Sequence, residues 1–217
     1  MVSKSKSLTS NIEGSNFNED YEKNLISEKE SDLFHKKSNK NVAIEEENDF
    51  RNFGFNNSIL KSLEKKGYKN PTPIQKASIP ELMMGRDLLG QAQTGTGKTA
   101  AFALPIIEKL ENNKELSAKV LVMTPTRELA TQVADSFKSY SSESPDINTI
   151  AIYGGTDFRN QISSLKRKVD VVVGTPGRIM DHIRQGTFKV KNINCLVLDE
   201  ADEMLKMGFL EDIEWII

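Results

Sequence analysis

Apolar residues in this chain gather into five short runs, separated by longer stretches of helical spacing, and the alternation begins only near residue 50. The runs are Asp87–Gln91, Lys119–Thr124, Asn148–Tyr153, Val169–Val173 and Asn194–Leu198. Several are unbroken Val, Ile and Leu, the pattern of strands buried on both faces. Between them, apolar residues recur at three- and four-residue intervals. That spacing predicts helices from Lys98 to Leu110, over Thr126–Tyr140, over Phe158–Leu165 and over Gly177–Gln185. Strands alternating with helices predict an α/β fold with a parallel sheet and right-handed crossovers.

Ahead of the first run, Asn57–Leu63 has helical spacing, and Gly67 is placed to end that helix. In PTPIQKASIPELMMG (71–85), Thr72 reads as an N-cap, Pro73 as a first-turn residue and Gln75 as the partner in a capping box. Pro80 is expected to divide this region into two short helices, the second ending at Gly85. Residues 1–49 show no sustained period and are rich in Ser, Asn, Lys and Glu, which predicts a disordered tail. Structure is therefore expected over 50–217.

Charge follows the same division. The tail holds seven Lys and eleven Asp or Glu, a net of −4, so the remainder is +2 within an overall −2. A mild positive balance permits a nucleic-acid partner without demanding one. No apolar run reaches the roughly 20 residues of a membrane span. The early residues lack an apolar core for a secretory signal, and early acids argue against a transit peptide. The one cysteine, Cys195, allows no internal disulfide and reads as a small strand residue, in keeping with a reducing, cytoplasmic setting. His182 reads as a surface residue of its helix.

Two stretches carry chemistry. In DLLGQAQTGTGKT (87–99), an apolar run enters a loop with Gly95 and Gly97, then Lys98, Thr99 and an apolar helix. This is the strand–loop–helix setting of a phosphate-cradling P-loop, whose glycines let backbone N–H groups face an anion. Lys98 would reach the β- and γ-phosphates and Thr99 would bind Mg²⁺. The general pattern opens with Gly where this chain has Ala92. In VLDEAD (197–202), a hydrophobic strand ends in adjacent carboxylates, the form of a Walker B element. Asp199 would hold Mg²⁺ through water, and Glu200 would orient or deprotonate the attacking water. The plain alternative is a helix start enriched in acids.

AQTGTGKT (Ala92–Thr99: Ala92, Gln93, Thr94, Gly95, Thr96, Gly97, Lys98, Thr99) followed by DEAD (Asp199–Asp202) resembles the DEAD-box RNA helicases, in which Ala92 is the usual first residue. GYKNPTPIQ (Gly67–Gln75) resembles the family's Q motif, and Phe50 stands where the family places an upstream aromatic. PTRELA (Pro125–Ala130) resembles motif Ia, Gly154-Gly155 the GG motif, and TPGR (Thr175–Arg178) motif Ib. The spelling of 85–105 is more like bacterial members. The resemblance implies a RecA-like P-loop domain, ATP and Mg²⁺ as ligands, and RNA as partner.

The residues have physical readings beside the resemblance. Gln75 can pair with adenine N6 and N7, or serve only as the capping residue. Tyr68 and one of Phe50, Phe53 or Phe55 can pack about adenine, and the family pattern favours Phe50. Pro125, Thr126 and Arg127, the Gly154-Gly155 turn, and Thr175, Pro176, Gly177 and Arg178 lie at helix starts and a turn that can hold RNA phosphates without reading sequence. Standing alone these would be ordinary caps. The resemblance assigns Asp202 to coupling rather than metal binding. The chain stops at Ile217 in a helical stretch, before the family's SAT motif and second RecA-like domain with its arginine fingers. That implies little or no ATPase or unwinding by this polypeptide alone, and an unpaired sheet edge. An RNA-clamping ATPase, a DNA helicase of the same superfamily and a purely structural nucleotide-binding module are the alternatives.

Overall fold

A computed structural model describes residues 49–112 and 119–217. The expected tail lies outside the described residues. After a 3₁₀ turn at Phe50–Phe53 come helices α1 (Asn57–Lys65), α2 (Pro73–Met83) and α3 (Lys98–Asn112). The alternation follows as β1 (Lys119–Met123), α4 (Arg127–Tyr140), β2 (Thr149–Ile152), α5 (Phe158–Leu165), β3 (Val171–Gly174), α6 (Pro176–Arg184) and β4 (Ile193–Leu198). Two short helices, α7 (Ala201–Lys206) and α8 (Leu210–Ile216), close the chain. The sheet is wholly parallel, in the order β2-β3-β1-β4.

Both faces of β1 and β3 are covered, which is why they read as continuous apolar runs, whereas the edge strand β4 leaves Leu196 and Leu198 40% and 38% exposed. Successive side chains point to opposite faces. Val120, Val122, Val171 and Val173 pack with Ile59, Ile79, Leu104 and Phe137 from α1 to α4. Leu121, Met123 and Val172 pack on the other side with Ile179, Met204 and Ile213 from α6 to α8. Cys195 is half-buried in the first of these clusters, and burial pushes its thiol up, as suits an unreactive strand residue.

Local chemistry sets several boundaries. At the end of α1, the Gly67 N–H donates to the Glu64 carbonyl at 2.9 Å and the Tyr68 N–H to that of Leu63 at 3.0 Å. With Gly67 at φ 73°, this is a complete Schellman closure, and it delivers Tyr68 to the surface. At α2, the Gln75 N–H donates to Thr72 Oγ1 at 3.5 Å and the Thr72 N–H to Gln75 Oε1 at 2.9 Å, the expected capping box.

Three expectations are corrected. Pro80 does not divide the helix: α2 runs through it to Met83. It sits near the end, where a missing N–H forfeits one bond, and buried Gln75, Ser78 and Ile79 hold the helix down on the N-terminal side of it. Asp87–Gln91 forms no strand, and Leu89 is fully exposed. Two leucines next to a glycine bring little of their own, and no strand among the described residues pairs with them. His182 is fully buried rather than on the surface.

Gly174 ends β3 where the chain has no room for a side chain. A Cβ there would lie 2.6 Å from the Ile152 carbonyl oxygen, 2.7 Å from Ile152 Cγ1 and 3.1 Å from Ile179 Cγ1. Gly174→Ala is expected to cost about 2 kcal/mol, within the usual overpacking range. A urea denaturation midpoint close to that of the parent would contradict this.

Candidate functional site

The four strands end side by side, and each delivers a candidate segment at its carboxyl end, where open α/β sheets bind ligands. In sheet order these are the Gly154-Gly155 turn after β2, Thr175–Arg178 after β3, Pro125–Arg127 after β1 and Asp199-Glu200 after β4. Segments dispersed over 75 residues of sequence thus form one row, about 15 Å long at the usual strand spacing.

The glycine loop enters at the head of α3. Gly95 and Gly97 have φ of 82° and 90°, the left-handed region that a side chain resists. Thr96 Oγ1 donates to the Gln93 carbonyl at 2.7 Å, tightening the turn. Ala92, Thr96, Gly97, Lys98 and Thr99 are half-buried, whereas Gln93, Thr94 and Gly95 are exposed. Gln75 is 1% exposed, and its Nε2 donates to the Gly97 carbonyl at 3.1 Å while its Oε1 caps α2. The glutamine therefore braces the loop as well as the helix. Each polar atom of its amide keeps one unused bonding position.

Asp199 and Glu200 differ sharply. Asp199 is 8% exposed, and its N–H donates to the Met123 carbonyl at 3.0 Å, tying it to β1. Burial first, and then the Glu200 charge, push its carboxyl above the ordinary range, while the Lys98 charge pulls it down. Lys98 and Asp199 thus feel each other across the site. Glu200 has φ 55° and ψ 48°, the left-handed conformation, and is the only non-glycine among the described residues with positive φ. Its side chain caps nothing. Acids do gather at this helix start, with Asp202 and Glu203 in its first turn, but a left-handed backbone at a non-glycine residue is strain of the kind that clusters at functional positions. Asp202 is exposed and paired with Lys206 at 3.5 Å.

The raised Asp199 carboxyl has a consequence for stability. Its folded pKa lies above the unfolded value of 3.8, so the proton is bound more tightly in the fold. Stability from this group is present below that value and is lost as pH rises through the folded pKa. Asp199→Asn is expected to raise the urea midpoint of the ligand-free chain at pH 7. The gain should shrink as pH falls toward the ordinary carboxylate range. A variant less stable than the parent at pH 7 would contradict the assignment.

The expected aromatic residues are neighbours, but only one is open. Phe50 is 2% exposed, edge-on to Tyr68 and to Phe53 at 6.1 Å each. Tyr68 is 36% exposed and shares a 3.0 Å hydrogen bond with the buried Tyr140 hydroxyl. Phe50 thus stands behind Tyr68 rather than presenting its own face.

In the row of turns, Thr126 caps α4 through its hydroxyl, which accepts from the Leu129 N–H at 3.2 Å. Thr175 occupies the N-cap of α6 with Pro176 as the first helical residue, as expected, although its side chain makes no capping bond. Pro125 and Pro176 are buried, whereas Thr126, Arg127, Gly155 and Gly177 are exposed. Arg127 lies over Gly155, where a Cβ would come 2.6 Å from its Nη1. Arg178 turns inward. Its side chain is 12% exposed, its Nη1 donates to the Thr156 carbonyl at 3.4 Å, and its guanidinium lies 5.2 Å from the centre of the Phe158 ring. In this structure it holds the turn from behind instead of facing solvent.

Sequence reasoning gave no site role to Gln161, Phe158 and His182, which pack behind these turns. Their only mark in the sequence is position, since all three fall between or beside the GG and TPGR segments.

A family model for DEAD/DEAH box helicases matches residues 72–217. The chain is 51% identical over 168 residues to the ATP-dependent RNA helicase DeaD of Buchnera aphidicola subsp. Schizaphis graminum, covering 77% of this chain and 28% of that protein. It is 49% identical over 168 residues to the DEAD-box ATP-dependent RNA helicase CshA of Bacillus cereus, covering 32% of it. The chain therefore spans under a third of the length of these relatives. A crystal structure of a DEAD box protein from the hyperthermophile Methanococcus jannaschii superposes with a TM-score of 0.73 at 43% identity, over 78% of this chain and 46% of that one.

Proposed function

Since the chain belongs to the DEAD/DEAH box helicase family, we propose that it holds ATP at the 92–99 loop and one RNA strand along the neighbouring turns, as the first RecA-like half of an ATP-dependent RNA helicase. The observation that supports this best is the strand order. It sets three backbone-rich turns in a row, with Asp199-Glu200 beside the last of them.

In this reading the loop N–H groups and Lys98 take the phosphates. Tyr68, backed by Phe50, borders the base. Gln75 selects adenine with its remaining bonding positions while bracing Gly97. Thr99 and Asp199 are hard oxygen ligands that fit Mg²⁺, which takes few carboxylates and completes its shell with phosphate and water. When bound, that ion neutralises charge on the β- and γ-phosphates. Glu200 orients the attacking water and accepts its proton. Asp202, exposed beside the site, relays its state to later elements.

RNA is held by its phosphates at the Thr126 and Thr175 helix starts and at Gly154-Gly155, with Arg127 adding charge. Pro125, Pro176, Gly177 and Arg178 shape those turns. Such contacts position a strand without reading its sequence. Closure against a second RecA-like domain would bend that strand and open base pairs locally. An arginine finger contributes about 10³–10⁵ in rate, so this chain alone should turn over ATP barely or not at all. The helicase would act in the cytoplasm on RNA.

The test compares ATP turnover by this chain with that of a polypeptide carrying both domains. RNA-stimulated turnover and strand displacement by the two-domain form alone support the proposal. Comparable turnover by both forms overturns the need for the second domain. ATPase without displacement points to a clamp, and stronger stimulation by DNA than by RNA points to a DNA helicase.

A further inference from the structure

His182 is fully buried yet carries two polar nitrogens, and neither the nucleotide site nor the phosphate contacts use them. Its Nε2 lies 3.1 Å from Gln161 Oε1, and its Nδ1 lies 2.8 Å from Thr187 Oγ1. The Gln161 amide continues the chain of bonds. Its Nε2 donates to the Tyr153 carbonyl at 3.0 Å and to Thr156 Oγ1 at 2.5 Å.

These bonds have one direction. The Tyr153 carbonyl can only accept, so the glutamine NH₂ faces the turn and its oxygen faces His182. The imidazole must then donate from Nε2. Burial with the nearby Arg178 charge favours a neutral ring, whose Nδ1 is then an acceptor beside the Thr187 hydroxyl, and that hydroxyl divides its one proton between Nδ1 and the His182 carbonyl at 3.0 Å. Phe158 stacks on the imidazole at 4.2 Å and 12°. Every bond from this network on the α5 side ends on the Tyr153–Thr156 turn, which carries Gly154-Gly155. His182 itself sits on α6, whose N-terminus is the Thr175–Arg178 segment.

We propose that Gln161 and His182 are positioning residues that fix the Gly154-Gly155 turn against the N-terminus of α6, so that both present their backbone N–H groups to one RNA strand. The inference rests on the RNA reading above. The spacing between the two phosphate contacts is then set from behind, by a buried amide–imidazole pair that works beside the Arg178 bond to the Thr156 carbonyl. Polar pairs with every bond satisfied hold one geometry where an apolar contact would allow several.

The experiment uses the complete helicase, this chain with its second RecA-like domain, and reads RNA-stimulated ATP turnover against RNA concentration. His182→Phe keeps the stack on Phe158 but removes both nitrogens. Gln161→Met keeps length but removes the amide. Each is expected to raise the half-saturating RNA concentration about tenfold, the loss of one net hydrogen bond, with kcat at saturating RNA and the KM for ATP unchanged. His182→Gln, which restores a donor toward Gln161, should recover most of the affinity. Circular dichroism identifies folded variants, and if His182→Phe fails to fold then Gln161→Met carries the test. Parental half-saturation in a folded variant, or no recovery in His182→Gln, overturns the positioning role while leaving the RNA reading intact. A parent protein that shows no RNA stimulation overturns that reading, and the positioning role with it.

Discussion

Glu200→Gln, placed in a polypeptide with both RecA-like domains, is expected to lower ATP turnover about 10³-fold while leaving ATP binding intact, a loss typical of removing a general base. The expectation comes from what Glu200 does not do. It holds the N-cap position of α7 without a side-chain capping bond, so its carboxylate has no structural task there. It also pays for its place, since a left-handed backbone costs a non-glycine residue about 1–2 kcal/mol. Glutamine meets the same backbone demand and keeps the shape, so only the proton-accepting oxygen is lost. Glu200→Gly separates the two roles. It should abolish turnover equally and raise the stability of the domain, because glycine adopts φ 55° freely. Turnover within a few-fold of the parent in Glu200→Gln would remove the residue from the chemistry.

The second large effect is expected at Gly97. Gly97→Ala should weaken ATP binding roughly 100-fold, as the sum of left-handed strain and a clash. The clash is specific, because a Cβ on Gly97 would run into the Gln75 amide and sit 3.4 Å from Thr72 Oγ1. Gln75 cannot retreat without breaking either the α2 capping box or its bond to the Gly97 carbonyl. Gly95 supplies the control. Its φ is 82°, but nothing lies within 4 Å of where its Cβ would be. Gly95→Ala should therefore show the strain alone, a loss of about tenfold. Titration of each variant with a fluorescent ATP analogue distinguishes them. Equal losses would mean that the Gln75 brace contributes nothing to the loop.

What was legible in the sequence was whatever local chemistry or strong periodicity decides. Phe158–Leu165 emerges with its expected ends because Asp157 caps it, accepting from the Arg159 N–H at 2.8 Å. Gly67 and the Thr72/Gln75 box were readable because each motif closes within six residues. The strands β1 and β3 were readable because burial on both faces leaves an unbroken apolar run, and β2 and β4 because their own residues are apolar enough to show although they are only partly buried. Asp87–Gln91 was not, because a strand is also made by its neighbours and its own apolar content is two leucines. Pro80 misled because the rule against helical proline concerns one hydrogen bond, and packing of Ile79 outweighs it.

The site was legible as a list of residues but not as an arrangement. Residue types singled out the glycine loop and the Asp199-Glu200 pair as candidates. Strand order, which no local pattern encodes, makes neighbours of Gly155, Thr175 and Thr126. The inward turn of Arg178 and the burial of His182 were equally hidden. A polar residue on an amphipathic helix reads as exposed, unless a partner from another element is there to satisfy it. Gln161, 21 residues away in sequence, is that partner. The left-handed Glu200 has no sequence mark at all, since Glu is not a residue chosen for such a backbone.

The central claim is that the carboxyl ends of β2, β3 and β1 form one continuous track for an RNA backbone beside the nucleotide loop. It is tested most directly by photo-crosslinking a single-stranded RNA that carries 4-thiouridine to the two-domain helicase with ATP analogue bound, and mapping the linked peptides of this chain by mass spectrometry. Crosslinks should fall at Thr126–Arg127, Tyr153–Thr156 and Thr175–Arg178, and should be competed away by unlabelled RNA. Crosslinks concentrated on α1 or the outer surfaces of the helices, with those three segments unlabelled, would contradict the account.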